Sequence, residues 1–350
     1  ERKFADAESL RPVVRAAFGR DRALLRAERL AGGSKKGAYR LTMDDGGTAL
    51  AYAWNDSEDY WQGALPEDAG DPAGPFSHAS GLALFEAAAR RLASAGARCP
   101  EILFTDRSRS LYPADVAVVE DIAGGSLEAL LDKDPVAAER PLSVLADWLA
   151  AMAAIRSPSL GKVAFVDAGG RSPRTSCEGI MLDRALGQLR EIAGRDRRAA
   201  GAQGRLEEAL HALAGPVEPR VTWALIHGEL GPDHVLLDRR GEPALIDIEG
   251  AKNFEVEAEH VWTRMRFAGH YARLSGAAST RTASGSTSCA CTWTWSRDPC
   301  GSPAPATPSA SGPAGWPSIT SSVPCGSRPS GNGKHPRDGD APAFRRLRRG

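Results

Sequence analysis

Hydrophobic and polar positions along the chain change period several times, and each change marks an element. Residues 6–18 place Leu10, Val13, Val14 and Phe18 on one face of a helix. Runs at 23–30 and 38–43 flank Ala31-Gly32-Gly33-Ser34-Lys35-Lys36-Gly37, which reads as strand, glycine-rich turn, strand. Asp44-Asp45-Gly46-Gly47 is a second hairpin turn, and Thr48–Trp54 is the third strand. Residues 55–77, rich in Asp, Gly and Pro, break the pattern as a long insertion. Helical spacing resumes at 80–95, where Leu82, Phe85, Ala89 and Leu92 align, and strands are expected at 102–104 and 116–122. Ser126 is placed to cap a helix at 127–131. Further helices are expected at 141–155, 176–193, 206–214 and 253–274. On the last of these, Phe254, Val261, Met265 and Phe267 should pack, with His260 and His270 structural or solvated.

Between the last two helices lies a cluster of short strands. Trp223–Ile226 and 244–248 flank a polar loop and a third run, Val235–Leu237, and Arg239-Arg240-Gly241-Glu242 turns the last two into a hairpin. Six groups able to bind metal or move protons fall within 23 positions: His227, Glu229, Asp233, His234, Asp247 and Glu249. A solvated loop would scatter its charges. These sit between runs that have to be buried, which points to a site.

Composition narrows the picture. The 350 residues are enough for two lobes with cores of their own. Basic and acidic residues balance at 44 each, so nothing points to nucleic acid or an anionic membrane surface. No apolar run approaches the roughly eighteen residues of a membrane span, and no signal-peptide pattern opens the chain. A cytoplasmic monomer is expected, and Glu1 in place of Met suggests a trimmed or misassigned start. Cys99 and Cys177 read as lone reduced thiols.

The spacing within the cluster is more telling than its composition. Glu229 and His234 are five apart, and Asp247 follows thirteen later on the next strand. The kinase catalytic loop sets its base and its metal-binding amide at that interval, with a metal-binding Asp on a following strand. His227-Gly228-Glu229-Leu230, Pro232 and His234-Val235-Leu236, followed by Ile246-Asp247 and Glu249, resemble the aminoglycoside phosphotransferase and small-molecule kinase family. The family's usual motif is His-Gly-Asp, four residues, Asn, and later Ile-Asp. Here Glu229 stands for the Asp and His234 for the Asn.

The resemblance implies an α+β, two-lobed, protein-kinase-like fold. A small antiparallel-sheet lobe would span 1–122 and a larger helical lobe with the catalytic hairpin 123–274. It implies ATP or GTP as donor, Mg²⁺ or Mn²⁺, and transfer to a hydroxyl of a small molecule such as an aminoglycoside. Gly32, Gly33, Ser34, Lys35 and Lys36 would cover the nucleotide phosphates, with an ordinary hairpin turn as the alternative. Backbone groups near Glu120 and Asp121 would meet the adenine edge. Glu229 would be the catalytic base on a loop shaped by His227, and Asp247, His234 and Glu249 the metal ligands. A cationic acceptor would call for an acidic large-lobe surface, to which sequence alone does not assign Asp167, Glu255, Glu257 or Glu259.

Three departures from the family pattern bear on the chemistry. Glu for Asp keeps the carboxylate but lengthens it by one methylene. His for Asn exchanges an oxygen ligand for an imidazole, which suits Mn²⁺ better than Mg²⁺. Thr48–Trp54 lacks the basic residue that a kinase-like third strand pairs with a helix Glu, so Lys35 or Lys36 would have to supply the charge. Glu86 falls at the helix position and should be solvated. Two alternatives follow: a nucleotide-binding pseudokinase with a regulatory role, or a metal-dependent hydrolase built on His227, His234, Asp247 and a Glu base.

From Ser275 onward the grammar changes. Ser, Gly, Pro, Ala and Thr dominate 275–350, four of the six cysteines and three of the eight tryptophans fall there, and Glu is absent. Disorder accounts for Pro and Ser but not for Cys and Trp. Written in GC-rich codons and shifted by one base, residues 289–296 read Leu-Arg-Leu-His-Leu-Asp-Leu-Val. A shift of reading frame near 274–278 is therefore expected, with a tail that shares no core.

Overall fold

A computed structural model describes residues 4–31, 34–60 and 71–275, all within one compact unit. Gly32, Gly33, part of the expected insertion and the tail after Ser275 lie outside the described residues.

Asp6 opens the first helix, α1 (Ala7–Phe18), through a reciprocal capping box with Ser9. Five strands follow: β1 (Leu24–Arg29), β2 (Gly37–Met43), β3 (Thr48–Trp54), β4 (Ile102–Asp106) and β5 (Asp115–Glu120), with α2 (Leu82–Ser94) between β3 and β4. They form one sheet in the order β1-β2-β3-β5-β4, antiparallel at every pairing. The uninterrupted apolar run of β3 is explained by cover on both faces. Ala49, Ala51 and Ala53 join Leu10, Val13 and Val14 of α1 in one core. Leu50, Tyr52 and Trp54 turn the other way, toward Leu82, Phe85 and Leu92 of α2.

The second half is mainly helical. Ser126 Oγ accepts from Ala129 N–H and opens α3 (Leu127–Lys133). Then come α4 (Glu139–Ala154), short strands β6 (Arg156–Ser157) and β7 (Gly161–Lys162), α5 (Val163–Asp167), α6 (Cys177–Ala193) and α7 (Arg197–Ala214). The strand cluster consists of β8 (Trp223–Ile226), β9 (Val235–Leu237), β10 (Pro243–Leu245) and β11 (Lys252–Phe254). β9 and β10 pair as the expected hairpin. It closes against the end of the first sheet, where Gly124 N–H donates to Leu237 O at 2.7 Å. A Cβ at Gly124 would sit 2.3 Å from Asp238 O, so that approach requires glycine.

The structure corrects the expected helix at 253–274. Residues Lys252–Phe254 are a strand, paired on one side with β8 and on the other with β7, in the four-stranded order β6-β8-β11-β7. Three residues are too few to display a period, and their partners come from distant parts of the chain. The helix proper, α8, covers Val256–Phe267, and α9 covers Tyr271–Leu274. Met265, expected to pack, is exposed. Among the described residues no helix is long and apolar enough to cross a membrane, and Cys99 and Cys177 are free.

Candidate active site

β8 delivers the chain to His227 at the bottom of the cluster. His227 is 1% exposed, and its Nε2–H donates to Ile246 O at 3.0 Å. Burial, followed by the neighbouring His234, pushes its pKa down to about 4, so the ring is neutral. His227 thus pins the loop to the segment that leads into Asp247, and its Nδ1 is buried with no hydrogen-bond partner.

Gly228 takes φ 93°, and a Cβ there would lie 2.7 Å from Cε of Lys252. Its N–H donates to Glu259 Oε2 at 2.8 Å. Glu229 then turns outward, half-exposed, with Oε2 3.7 Å from Lys35 Nζ. The crowded surroundings oppose ionisation, but Lys35 and Lys252 outweigh them and hold the carboxyl below its usual range. The Glu229 backbone carbonyl accepts from His234 Nδ1 at 2.8 Å. That bond fixes the ring and turns Nε2 toward the carboxylates of Asp233 and Asp247. Nε2 stands 3.8 Å from Asp247 Oδ2.

Asp247 adopts left-handed backbone geometry, φ 55° and ψ 44°, immediately before a 3-10 turn at Ile248–Gly250. A non-glycine residue in that region is uncommon, and such strain concentrates at sites. Its carboxylate faces Lys36 Nζ at 3.4 Å. Burial opposes its charge, yet Lys36, Lys35 and His234 hold it well below the carboxylate range. Glu249 is 4% exposed, and its Oε1 lies 2.5 Å from Lys36 Nζ. Its Oε2 is buried with no hydrogen-bond partner.

The glycine-rich turn reaches this cluster through its two lysines. Lys36 stands 5.1 Å above the ring of Tyr52 on β3, and Tyr52 packs edge-on against Phe85 of α2. Among the described residues, the cation that meets Asp247 and Glu249 therefore comes from the turn, seated over an aromatic pair. Glu86, expected to be solvated, is ion-paired with Arg107. Ser34 contributes its carbonyl to Tyr60 N–H at 2.8 Å. Glu120 and Asp121 have committed side chains: Glu120 pairs with Arg98 at 2.6 Å, and Asp121 takes two bonds from Arg40 at 2.9 and 3.1 Å. Any contact of theirs with a base would run through backbone groups.

Among the described residues, no three His, Cys, Asp or Glu side chains converge as a metal-binding group. The donor set still suits a cation that takes most of its ligands from phosphate and water. Asp247 offers a charged carboxylate, His234 an Nε2 beside it, and Glu249 an orphaned buried oxygen. The sequence gives no sign that Lys162 and Lys252 are buried around this loop, and it offered Glu259 only as a candidate for an acidic surface, whereas all three are buried. A lone Lys or Glu in a polar stretch carries no local mark of burial.

Comparison with known proteins agrees with this geometry. The chain resembles the apo structure of a thermostable mutant of aminoglycoside phosphotransferase APH(4)-Ia, with TM-score 0.55, 14% identity, and coverage of 81% of this chain and 89% of that one. A variant of that enzyme in ternary complex with AMP-PNP and hygromycin B gives TM-score 0.56 and 15% identity, covering 82% and 90%. The GDP and kanamycin complex of an APH(2")-type enzyme gives 0.50 and 16%, covering 79% and 84%. At such identities the likeness shows the two-lobed kinase-like fold. No curated protein matches the sequence. The model of the phosphotransferase enzyme family matches residues 71–267, more than half of the chain and all of the strand cluster; the chain belongs to that family.

Proposed function

We propose that this protein transfers the γ-phosphate of ATP or GTP to a hydroxyl group of a small molecule, with Mg²⁺ or Mn²⁺ as cofactor. One observation carries the reading: Lys36, from the glycine-rich turn, meets Asp247 and Glu249 of the strand cluster, while Lys35 beside it meets Glu229. Phosphoryl transfer is mostly positioning and charge neutralisation. Two lysines facing three carboxylates across one cleft supply both once nucleotide enters.

In this reading the backbone and lysines of the turn bind the phosphates, and Lys36 exchanges part of its contact with Glu249 for phosphate oxygen. Asp247, His234 and Glu249 would hold the cation, which neutralises charge on the phosphates when bound. Glu229, ionised, accepts the proton of the acceptor hydroxyl. His227 and Glu259 hold the loop so that this carboxylate is aimed.

The reading is tested by thermal shift of the full chain with ATP, GTP, Mg²⁺ and Mn²⁺, alone and paired, followed by a nucleoside diphosphate release assay. Metal-dependent stabilisation with acceptor-dependent release is expected. Stabilisation by nucleotide with no release for any acceptor would favour the pseudokinase alternative, and no nucleotide effect would refute both.

A further inference from the structure

The wall of the site beside Glu229 is cationic. Lys162 of β7 and Lys252 of β11 lie opposite each other in register, and each is 3% exposed. Lys162 Nζ donates to Ser77 Oγ at 2.5 Å and His78 O at 2.9 Å, both uncharged acceptors. Lys252 Nζ stands 4.8 Å from the centre of the Phe76 ring, whose other near cation is the Arg184 guanidinium at 4.7 Å. Among the described residues, no carboxylate comes within 4.0 Å of either lysine ammonium. Lys252 is aimed at the catalytic loop, since a Cβ on Gly228 would meet its Nζ at 2.8 Å.

A buried ammonium without a counter-ion is unfavourable, and native structures keep one where a ligand completes it. Burial pulls Lys252 below the usual lysine range, with Glu229 and Glu259 only partly restoring it. Lys162 falls to about 8 through burial and then Lys252, with Asp71 and Glu229 opposing. The carboxylates that could have served a polycationic acceptor are engaged elsewhere. Asp167 pairs with Arg91, Glu255 and Glu257 pair with Arg220, and Glu259 is buried under the loop with Oε2 on Gly228 N–H.

We propose that Lys252, with Lys162 beside it, binds a carboxylate or phosphate group on the acceptor. The acceptor is therefore an anionic hydroxyl compound and not a polycationic aminoglycoside. This rests on the phosphotransferase reading of the same site. The anionic group sits against Lys252 while the hydroxyl of the same molecule meets Glu229, so one end of the acceptor is anchored and the other is presented for transfer.

The test uses the full chain with ATP and Mn²⁺ or Mg²⁺. Glycerate, glucose 6-phosphate, glucose and kanamycin serve as candidate acceptors, and ADP release is the readout. Turnover of an anionic compound is expected, glycerate or glucose 6-phosphate distinguishing carboxylate from phosphate. Lys252→Met should raise that compound's KM at least tenfold while leaving the KM for ATP unchanged. Methionine fills the same space; Lys252 also helps to hold Glu229 ionised, so kcat should fall too, and the readout is the KM of the acceptor against the KM of ATP. A binding arm runs beside it: with ADP saturating, inorganic phosphate or glycerate should raise the melting temperature of the parent and not of K252M. Kanamycin or glucose as the better acceptor, a changed KM for ATP alone, or equal anion stabilisation in parent and variant would each overturn the proposal. Loss of ATP binding in the parent would instead sink the phosphotransferase reading.

Discussion

The ammonium of Lys36 lies 2.5 Å from the carboxylate of Glu249, 213 residues further along the chain. Lys36 is buried with it, standing over Tyr52. Burial opposes the charge on Lys36, yet Glu249 and Asp247 raise its pKa above the ordinary lysine range. The contact joins the turn before β2 to the strand cluster.

Lys36→Met should therefore harm both nucleotide binding and the fold. It leaves Glu249 buried and unpaired, a loss of about 3–5 kcal/mol for a broken buried ion pair. Adding Glu249→Gln should recover most of the melting temperature but none of the nucleotide affinity. Calorimetric titration with ATP and thermal melts of the single and double variants check the split.

Asp247→Asn should leave the fold close to native, because Asn tolerates the left-handed geometry at φ 55°. It removes the charge best placed to hold a cation, so metal-dependent ATP binding should weaken and transfer should drop by about two to four orders of magnitude. Unchanged metal dependence would remove Asp247 from the cation site.

Glu229→Gln should spare nucleotide binding while lowering transfer by about 10²–10⁴-fold, the usual worth of a general base. The measurement is kcat at saturating ATP beside ATP affinity. If the affinity falls and kcat stands, Glu229 positions Lys35 and does not take the proton.

His234→Asn replaces an imidazole nitrogen by an amide oxygen next to Asp247. Activity supported by Mg²⁺ should rise relative to that supported by Mn²⁺, because Mg²⁺ prefers oxygen ligands. Titrating each metal against initial rate reads the ratio directly; a constant ratio would take His234 out of the cation's reach.

Glu259 gives a pH dependence. Burial raises its folded-state pKa to about 7 from the ordinary 4.5, against the opposing bonds from the loop. Between those values the folded protein keeps a proton that the unfolded chain has lost, so stability from this group falls as pH rises. The full span corresponds to roughly 3 kcal/mol. His227, lowered to about 4, has the opposite slope below the ordinary histidine value of 6.5, so the parent profile mixes the two. The difference between parent and Glu259→Gln isolates the first: the variant should gain relative melting temperature steadily from pH 5 to 7.

The local grammar of the chain was sufficient for most elements. The strand–turn–strand at β1 and β2, the run of β3, the α2 stripe, the Ser126 cap and the β9–β10 hairpin all depend on neighbours a few residues away, and a period or a turn residue reports them. The motif from His227 to Asp247 was legible for the same reason, since its spacing lies in one stretch. The sequence left Lys35 and Lys36 as equal candidates for the missing charge; only tertiary structure put Lys36 on Asp247 and Glu249 and Lys35 on Glu229, because Tyr52 and the carboxylates meet them from distant segments. It also made a strand of Lys252–Phe254: three residues show no period, and pairing with β7 and β8 supplied the backbone bonds. The same pairing buried Lys162 beside Lys252 and turned two unremarkable lysines into a cationic wall, because a charge's meaning depends on what surrounds it and not on its place in the sequence.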